Sequence, residues 1–599
     1  MSWFTFPKTP VFWSIFLLLG LAFNFHVPDM GETFVSRNMS AWAVICLSLI
    51  ILWWRPFKQG AIHWSPLWLA GLFLPVVGSL LVLVVNILGN FEYMHVGHYF
   101  MPLMLLAFGL FVLGLLQHSD DMPDLSLVII AIFVTFLPQY VAYLVFENPL
   151  IGHISPFSGF KISSFFTKAS AGFGQYNLLG SFVATLLVLA AAAFVLNPMR
   201  PLRRFMLALI IIFISIDLPF VRSKTALLGV ILGLSVLGLH VYFSGANRQT
   251  LNRYGLTLAL TLLAYFGAVW FGEFLALDDQ LASRTYAANQ SSFSTRYTMW
   301  VIGFRGFLEK PVFGHGLGAY LSLYMEHFGR YGLAEGLTFY QLVSIPHNLF
   351  VHILSETGLF GLIVIMGPLI WLGLRLFGQS DNRWLVLALL TPILLHSQFE
   401  YPYIASGSHY WLFGLALVLG LIGNGAKPLL LKCMIVPHRK AARLAFSGLT
   451  AYALAGIVIA AILSNDVRRM TLDYAKSIRM PLSQFIDNRS KDPALDHPLF
   501  GKRMRAVTNL QAIDKIFAEQ QLDLLRPVAL PYFEAHVLEQ YPTPPIWEMA
   551  IKIYGTLEED EKLLAMINYI ALYTPDRAAE LRAQYEVYLS QRANRLQSR

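Results

Sequence analysis

The chain runs to 599 residues, of which 56% are hydrophobic and only 13% charged, with a mean hydropathy of +0.58 and a formal net charge of +8. Soluble domains carry about 25% charged residues, so this composition excludes a soluble enzyme and indicates an integral membrane protein. Long continuous apolar runs with Gly and Pro inside them fit membrane helices and exclude a barrel, whose strands alternate over about ten residues.

Thirteen spans are predicted, at roughly 11–26, 40–54, 67–89, 99–117, 125–146, 177–196, 205–220, 225–243, 254–277, 347–374, 384–396, 408–423 and 444–463. The first is followed by Val27-Pro28-Asp29 without a small-residue cleavage site, which predicts a retained helix rather than a signal peptide. The two cysteines, Cys46 in an apolar span and Cys433 beside a basic cluster, make no disulfide framework and read as packing residues. Between the fifth and sixth spans, Ala171-Gly172-Phe173-Gly174-Gln175-Tyr176-Asn177 leads into an apolar helix. Its glycines permit close backbone approach to a ligand, and a helix start favours an anion; a membrane re-entry turn with amide caps accounts for the same residues.

Between the seventh and eighth spans, Val221-Arg222-Ser223-Lys224-Thr225 wedges two cations into a very short connection. A charge at that depth faces a cavity or a partner by default, and snorkelling is the ordinary alternative, better suited to Lys224. The longest polar interval, 278–346, carries aromatics such as Trp300, Phe313, Phe339 and Tyr340, which predict an ordered loop. In it, Ser294 reads as an N-cap and Arg296 as a first-turn arginine opposed to the helix dipole, which suits a bound anion. A cation stacked on Trp300, one turn on, is the competing account. Gly314-His315-Gly316-Leu317-Gly318 has no preceding strand and reads as a tight turn, not a nucleotide loop.

The loop closes on Pro346-His347-Asn348 at the mouth of the tenth span. A neutral imidazole there can take or share a proton near pH 7; a satisfied structural histidine is the bland alternative. Between the eleventh and twelfth spans lies His396-Ser397-Gln398-Phe399-Glu400-Tyr401-Pro402. Glu400 can orient His347 or bind a hydroxyl and Tyr401 can stack on a sugar ring, although tyrosine also belongs at a membrane interface.

Lys and Arg orient the chain. With a cytoplasmic N-terminus, inside segments collect Arg55, Lys58, Arg200, Arg203, Arg204, Arg248, Arg253, Arg375 and Arg383, while short outside loops hold only Arg37, Arg222 and Lys224. This places loop 278–346 and the tail outside. The expected domains are 1–463, a transmembrane domain with the outside loop 278–346, and 464–599, a soluble helical domain punctuated by Pro527, Pro531 and Pro542 to Pro545. That domain reads equally as a packing cap or an acceptor-docking element. The fold class is therefore all-α, a polytopic helical bundle. No basic stripe interleaved with aromatics suggests nucleic acid.

No His/Cys/Asp/Glu cluster has metal-ligand spacing, and no Gly-x-Ser-x-Gly elbow is present. Two arginines, a histidine and amides can hold a pyrophosphate and relieve its developing charge while a hydroxyl attacks the attached carbon. No cofactor is implied. Outside the cytoplasm the donor brings its own activated bond, as a lipid-linked sugar diphosphate does.

These residues resemble the O-antigen ligase and polymerase superfamily, whose long extracytoplasmic loop carries an arginine and ends in a His-Asn pair; here these are Arg296, His347 and Asn348, with Arg222 at the preceding short loop. The Gly-x-Gly-Gln-x-Asn run ending at Asn177, the Ser-Gln-x-Glu-Tyr-Pro run at 397–402 and the helical C-terminus resemble the PglL-type bacterial protein O-oligosaccharyltransferases. That resemblance implies roles for Gln175, His347 and Tyr401; Lys224 is a departure without an assigned role. It implies an inner-membrane enzyme moving a glycan en bloc from an undecaprenyl diphosphate carrier to Ser or Thr of a periplasmic protein such as pilin, with inversion. An O-antigen ligase acting on lipid A core, an O-antigen polymerase and a transporter of lipid-linked sugars are the rival readings.

Overall fold

A computed structural model describes residues 36–59, 62–89, 96–118, 124–146, 176–221, 223–274, 286–339, 345–380, 382–400, 406–422, 433–435, 439–478, 482, 501–538 and 544–597. In chain order it contains α1 (Ser36–Gln59), β1 (Ile62–Trp64), α2 (Pro66–Leu88), α3 (Val96–Gln117), α4 (Leu125–Phe146), α5 (Tyr176–Leu196), α6 (Pro201–Asp217), α7 (Lys224–Phe243) and α8 (Arg248–Phe274). Then follow α9 (Tyr286–Glu309), α10 (Tyr320–His327), α11 (Leu349–Gly361), α12 (Gly367–Gln379), α13 (Arg383–His396), α14 (Gly407–Ile422), β2 (Cys433–Ile435) and α15 (Arg439–Ile478). Helices α16 (Gly501–Ala518), α17 (Pro544–Thr556), α18 (Asp560–Ala571) and α19 (Pro575–Gln597) complete the described chain. The protein is all-α with membrane-spanning helices. Twelve of the thirteen expected spans coincide with helices, and the first, 11–26, lies outside the described residues.

Among the described residues, six helices are long and apolar enough to cross a membrane, and four shorter apolar helices accompany them. Two compact units divide the chain, one comprising 1–82, 100–288 and 361–469, the other 83–99, 289–360 and 470–599.

The first unit is a bundle around α5. Small residues, notably the run Ala190 to Ala193, let neighbours pack against it on every side, and its apolar window is wholly buried. Gly180 abuts Ser223 and Ala226 of the α7 start, and Gly233 abuts Val188. Without such small contacts the helix axes would be pushed apart.

Helix ends in this unit sort into two sets, as an up-and-down bundle requires. At one end β1 pairs antiparallel with β2, the His63 amide donates to Gln117, and Asp124 receives Arg203 and Asn197. Arg253 reaches the Asn197 carbonyl there too. At the other end the Tyr140 hydroxyl donates to Asp217, Ser181 hydrogen-bonds His409, and the His396 and His409 rings lie 6.5 Å apart. The first set carries the Lys and Arg excess expected of a cytoplasmic face.

The second unit joins the long loop to the C-terminal helices in one core. Met299 and Ile302 of α9, Tyr320 and Tyr324 of α10 and Phe328 belong to the same buried cluster as Trp547, Ile567 and Tyr573. Phe339 stacks on Trp547 at 6.0 Å, and the Tyr573 hydroxyl donates to the Met325 carbonyl at 3.0 Å. Loop and tail therefore form one body.

Candidate active site

The helix carrying Arg296 begins earlier than the sequence suggests. Helix α9 starts at Tyr286, so Ser294 is not its N-cap, and its carbonyl instead accepts the Thr298 hydroxyl at 3.0 Å. Arg296 sits half-buried within the helix, and the first-turn dipole argument for a bound anion fails. What sequence reading missed is that Ala287 to Ser292 continues the helix backward through good helix formers and tolerated polar residues. Arg296, Met299, Gly303 and Gly306 share one stripe of α9.

That stripe faces α10 and α11. A side chain at Gly303 would meet Val351 at 2.5 Å, and one at Gly306 would meet Leu323 at 2.5 Å. The Tyr320 hydroxyl donates to the Met299 carbonyl at 2.6 Å. Burial, with Tyr324 and Glu356 nearby, raises the Tyr320 phenol well above its ordinary value, so it remains a donor. Beyond α9, the Pro311 and Val312 carbonyls accept from Leu359 and Phe360 at 2.8 and 3.0 Å. Gly303 with Val351 and Pro311 with Leu359 share one offset along the chain, so α9 and α11 run parallel.

His347 has φ 49°, one of three non-glycine residues with positive φ among those described. Histidine tolerates this region better than most residues, yet the conformation costs about 1–3 kcal/mol and concentrates at functional sites. It is held from the C-terminal side. Asn348 caps α11, its Oδ1 accepting the amides of Phe350 and Val351 at 3.0 and 3.1 Å. The Asn348 side chain thereby has a defined capping role alongside any contact with substrate.

Helix α11 is broken at Gly358, with φ 63° and ψ −162°. The Gly314–Gly318 turn fills the break, with the amides of His315 and Gly316 donating to the Ser355 and Glu356 carbonyls at 2.9 and 2.8 Å. These bonds satisfy carbonyls released at the break, as membrane depth requires. A side chain on Gly314, at φ 68°, would penetrate the Glu356 carbonyl, which explains the glycines without any nucleotide. Leu317 N donates to Asn86 at 2.7 Å.

The expected site residues divide between the units. Arg296, His347 and Asn348 share the second unit, while Asn177, Lys224 and Glu400 belong to the first. Asn177 is half-buried in the first turn of α5. Ser223 caps α7 by accepting from Ala226 N at 3.2 Å, leaving Lys224 exposed at its first position, where a cation opposes the helix dipole. Glu400 is buried in the turn after α13. Gln175, Arg222 and Tyr401 lie outside the described residues.

Sequence reading passed over two buried carboxylates. Asp217 is fully buried at the end of α6, and Glu356 is 2% exposed in α11. Each is the sole acid in an otherwise apolar run, and an ionisable residue inside a span is a functional candidate by default.

Residues 178–366 match the family model described as O-antigen ligase. The match contains Arg222, Lys224, Arg296, His347 and Asn348 and leaves out Gln175, Asn177, Glu400 and Tyr401. No curated protein matches the chain. The family implies glycan transfer from a lipid-linked donor in a membrane setting. The loop arginine and the His-Asn mouth of α11 both fall inside the stretch, residues 178–366, that is similar to the O-antigen ligase family.

Proposed function

We propose that this protein is a protein O-oligosaccharyltransferase, moving a glycan en bloc from undecaprenyl diphosphate to a Ser or Thr hydroxyl of a periplasmic or pilus protein. In this reading Arg296 and Arg222 hold the diphosphate. The acceptor oxygen attacks the anomeric carbon from the face opposite the diphosphate, the carbon–oxygen bond to phosphate breaks, and undecaprenyl diphosphate leaves with the bonding pair. His347 receives the hydroxyl proton. Gln175, Asn177, Lys224, Glu400 and Tyr401 hold sugar or acceptor. A single displacement inverts the anomeric centre. The work is done in the outer face of the bacterial inner membrane.

The observation that carries the transferase reading is the strained His347, held at the head of α11 in the same body as Arg296. The reading of a protein acceptor rests on a second one. The C-terminal helices share a core with the helix that carries Arg296, so a folded polypeptide surface is built into the unit that holds the chemistry. Transfer to lipid A core, as in an O-antigen ligase, is the second reading, favoured by the description of the matched family.

Deleting the gene in its native host separates the two. The proposal expects intact-mass analysis of pilin or other periplasmic proteins to lose a glycan while the lipopolysaccharide ladder persists. Loss of the ladder with unchanged protein masses would hand the chain to the ligases.

A further inference from the structure

Buried beneath the head of α11, Glu356 is the one carboxylate between Leu349 and Gly378 and is 2% exposed. Nothing in the transfer chemistry uses it. Its two oxygens have different partners: Oε1 accepts the Tyr320 amide at 3.2 Å, and Oε2 pairs with His352 Nε2 at 3.0 Å. His352 lies one turn nearer His347 and is itself largely buried. On the other side, Tyr320 is the first residue of α10, and its hydroxyl holds the Met299 carbonyl of α9 at 2.6 Å. Met299 is one turn from Arg296.

A continuous chain of bonds thus runs from the helix that presents His347, through Glu356 and Tyr320, to the helix that presents Arg296. A buried carboxylate in an apolar helix is expensive, and it persists where both of its oxygens are satisfied and its removal would leave an unpaired amide. Main-chain bonds fasten both sides of the break at Gly358, Ser355 and Glu356 to 315–316 and Leu359 and Phe360 to 311–312, but these four bonds end in the turn between α9 and α10. The Glu356 side chain adds the tie that reaches α10 itself, at the Tyr320 amide.

We infer that Glu356 is a positioning residue that sets the separation between Arg296 and His347 by bridging α11 to the Tyr320 end of α10. The inference rests on the transferase reading of Arg296 and His347. It makes reach and hydrogen bonding, rather than charge, the essential property. Glutamine can accept from the Tyr320 amide and donate to a His352 imidazole in the Nδ1–H tautomer. Aspartate keeps the charge but is one methylene too short.

The test is in vitro transfer by full-length protein in detergent, with lipid-linked glycan donor and acceptor protein, comparing Glu356→Gln, Glu356→Asp, Glu356→Ala, His347→Ala and Glu356→Ala/His347→Ala. Thermal unfolding and size-exclusion profiles check that each variant is folded. Glu356→Gln should keep kcat within about 10-fold of the native protein. Glu356→Asp and Glu356→Ala should each lose about 100-fold in kcat, the scale of a displacement of about 1 Å at a reacting group. The double variant should lose little beyond His347→Ala, because residues acting as a unit are not additive. An active Glu356→Asp beside a dead Glu356→Gln overturns the inference in favour of a charge role. Native kcat in Glu356→Ala while His347→Ala is inactive overturns it and leaves the transferase reading intact. Full activity in His347→Ala instead removes the reading on which both stand.

Discussion

A histidine forced to φ 49° is an unusual choice for stability alone, and the substitution that reveals its purpose is glycine. Glycine adopts positive φ without the Cβ penalty, so His347→Gly should relieve about 1 kcal/mol of strain and leave the melting temperature unchanged or raised. Transfer should nevertheless fall to background. A melting temperature lowered by several degrees with activity retained would mark His347 as structural. Glycines at positive φ differ in the same measurable way. Gly314→Ala must displace the Glu356 main chain and should prevent normal folding, whereas Gly336→Ala, with nothing within 4 Å, should cost only about 1–2 kcal/mol for its left-handed backbone. His347 and Arg296 stood out in the sequence because each is an odd side chain in its local context. Glu356 carried a signal too, as the sole acid of an apolar run, but its partner Tyr320 is visible only in the folded chain.

Among the elements, α9 shows what local signals hide. Ser294 has the chemistry of an N-cap, but helix-compatible residues before it let the helix begin at Tyr286, and packing of Met299 and Ile302 into the second unit's core overrides the capping preference. The glycine-rich turn was correctly read as a turn, while its function in closing the broken α11 is a matter of tertiary hydrogen bonds. That turn carries a pH dependence. Burial is the main cause lowering the His315 imidazole below its ordinary value, while its Nε2 sits 2.9 Å from the Gly306 carbonyl. The unfolded chain binds the proton more readily, so the stability contributed by neutral His315 is complete above pH about 6.5 and is lost as pH falls through the lower folded value. Thermal unfolding in detergent should show stability falling on acidification across that window, with a shallower slope in His315→Gln. The C-terminal helices offer a packing test. Trp547 is buried against Phe339 and Tyr573, and Trp547→Ala should cost about 3–5 kcal/mol and expose both the loop 289–339 and the tail to protease together. Cleavage of the tail alone would separate them.

For the molecule as a whole, hydropathy and the placement of Lys and Arg made the helical bundle and its alternation readable in advance. The described helix ends sort into two sets that agree with that alternation, through contacts such as Asp124 with Arg203 and β1 with β2. The shared core of loop and tail was not readable, since Phe328 and Tyr573 are 245 positions apart and periodicity says nothing of partners at that distance. Topology can be measured with single cysteines placed in a protein lacking Cys46 and Cys433. Lys310→Cys and Glu586→Cys should react with an impermeant maleimide in intact spheroplasts, and Arg248→Cys only after permeabilisation. The most direct test of the central claim is transfer in a purified system of this protein, undecaprenyl-diphosphate-linked glycan and a Ser-bearing acceptor protein. The account predicts a glycosylated acceptor of inverted anomeric configuration together with free undecaprenyl diphosphate, both abolished in Arg296→Ala and His347→Ala. Glycan delivered only to lipid A core, or transfer undiminished in those two variants, would contradict it.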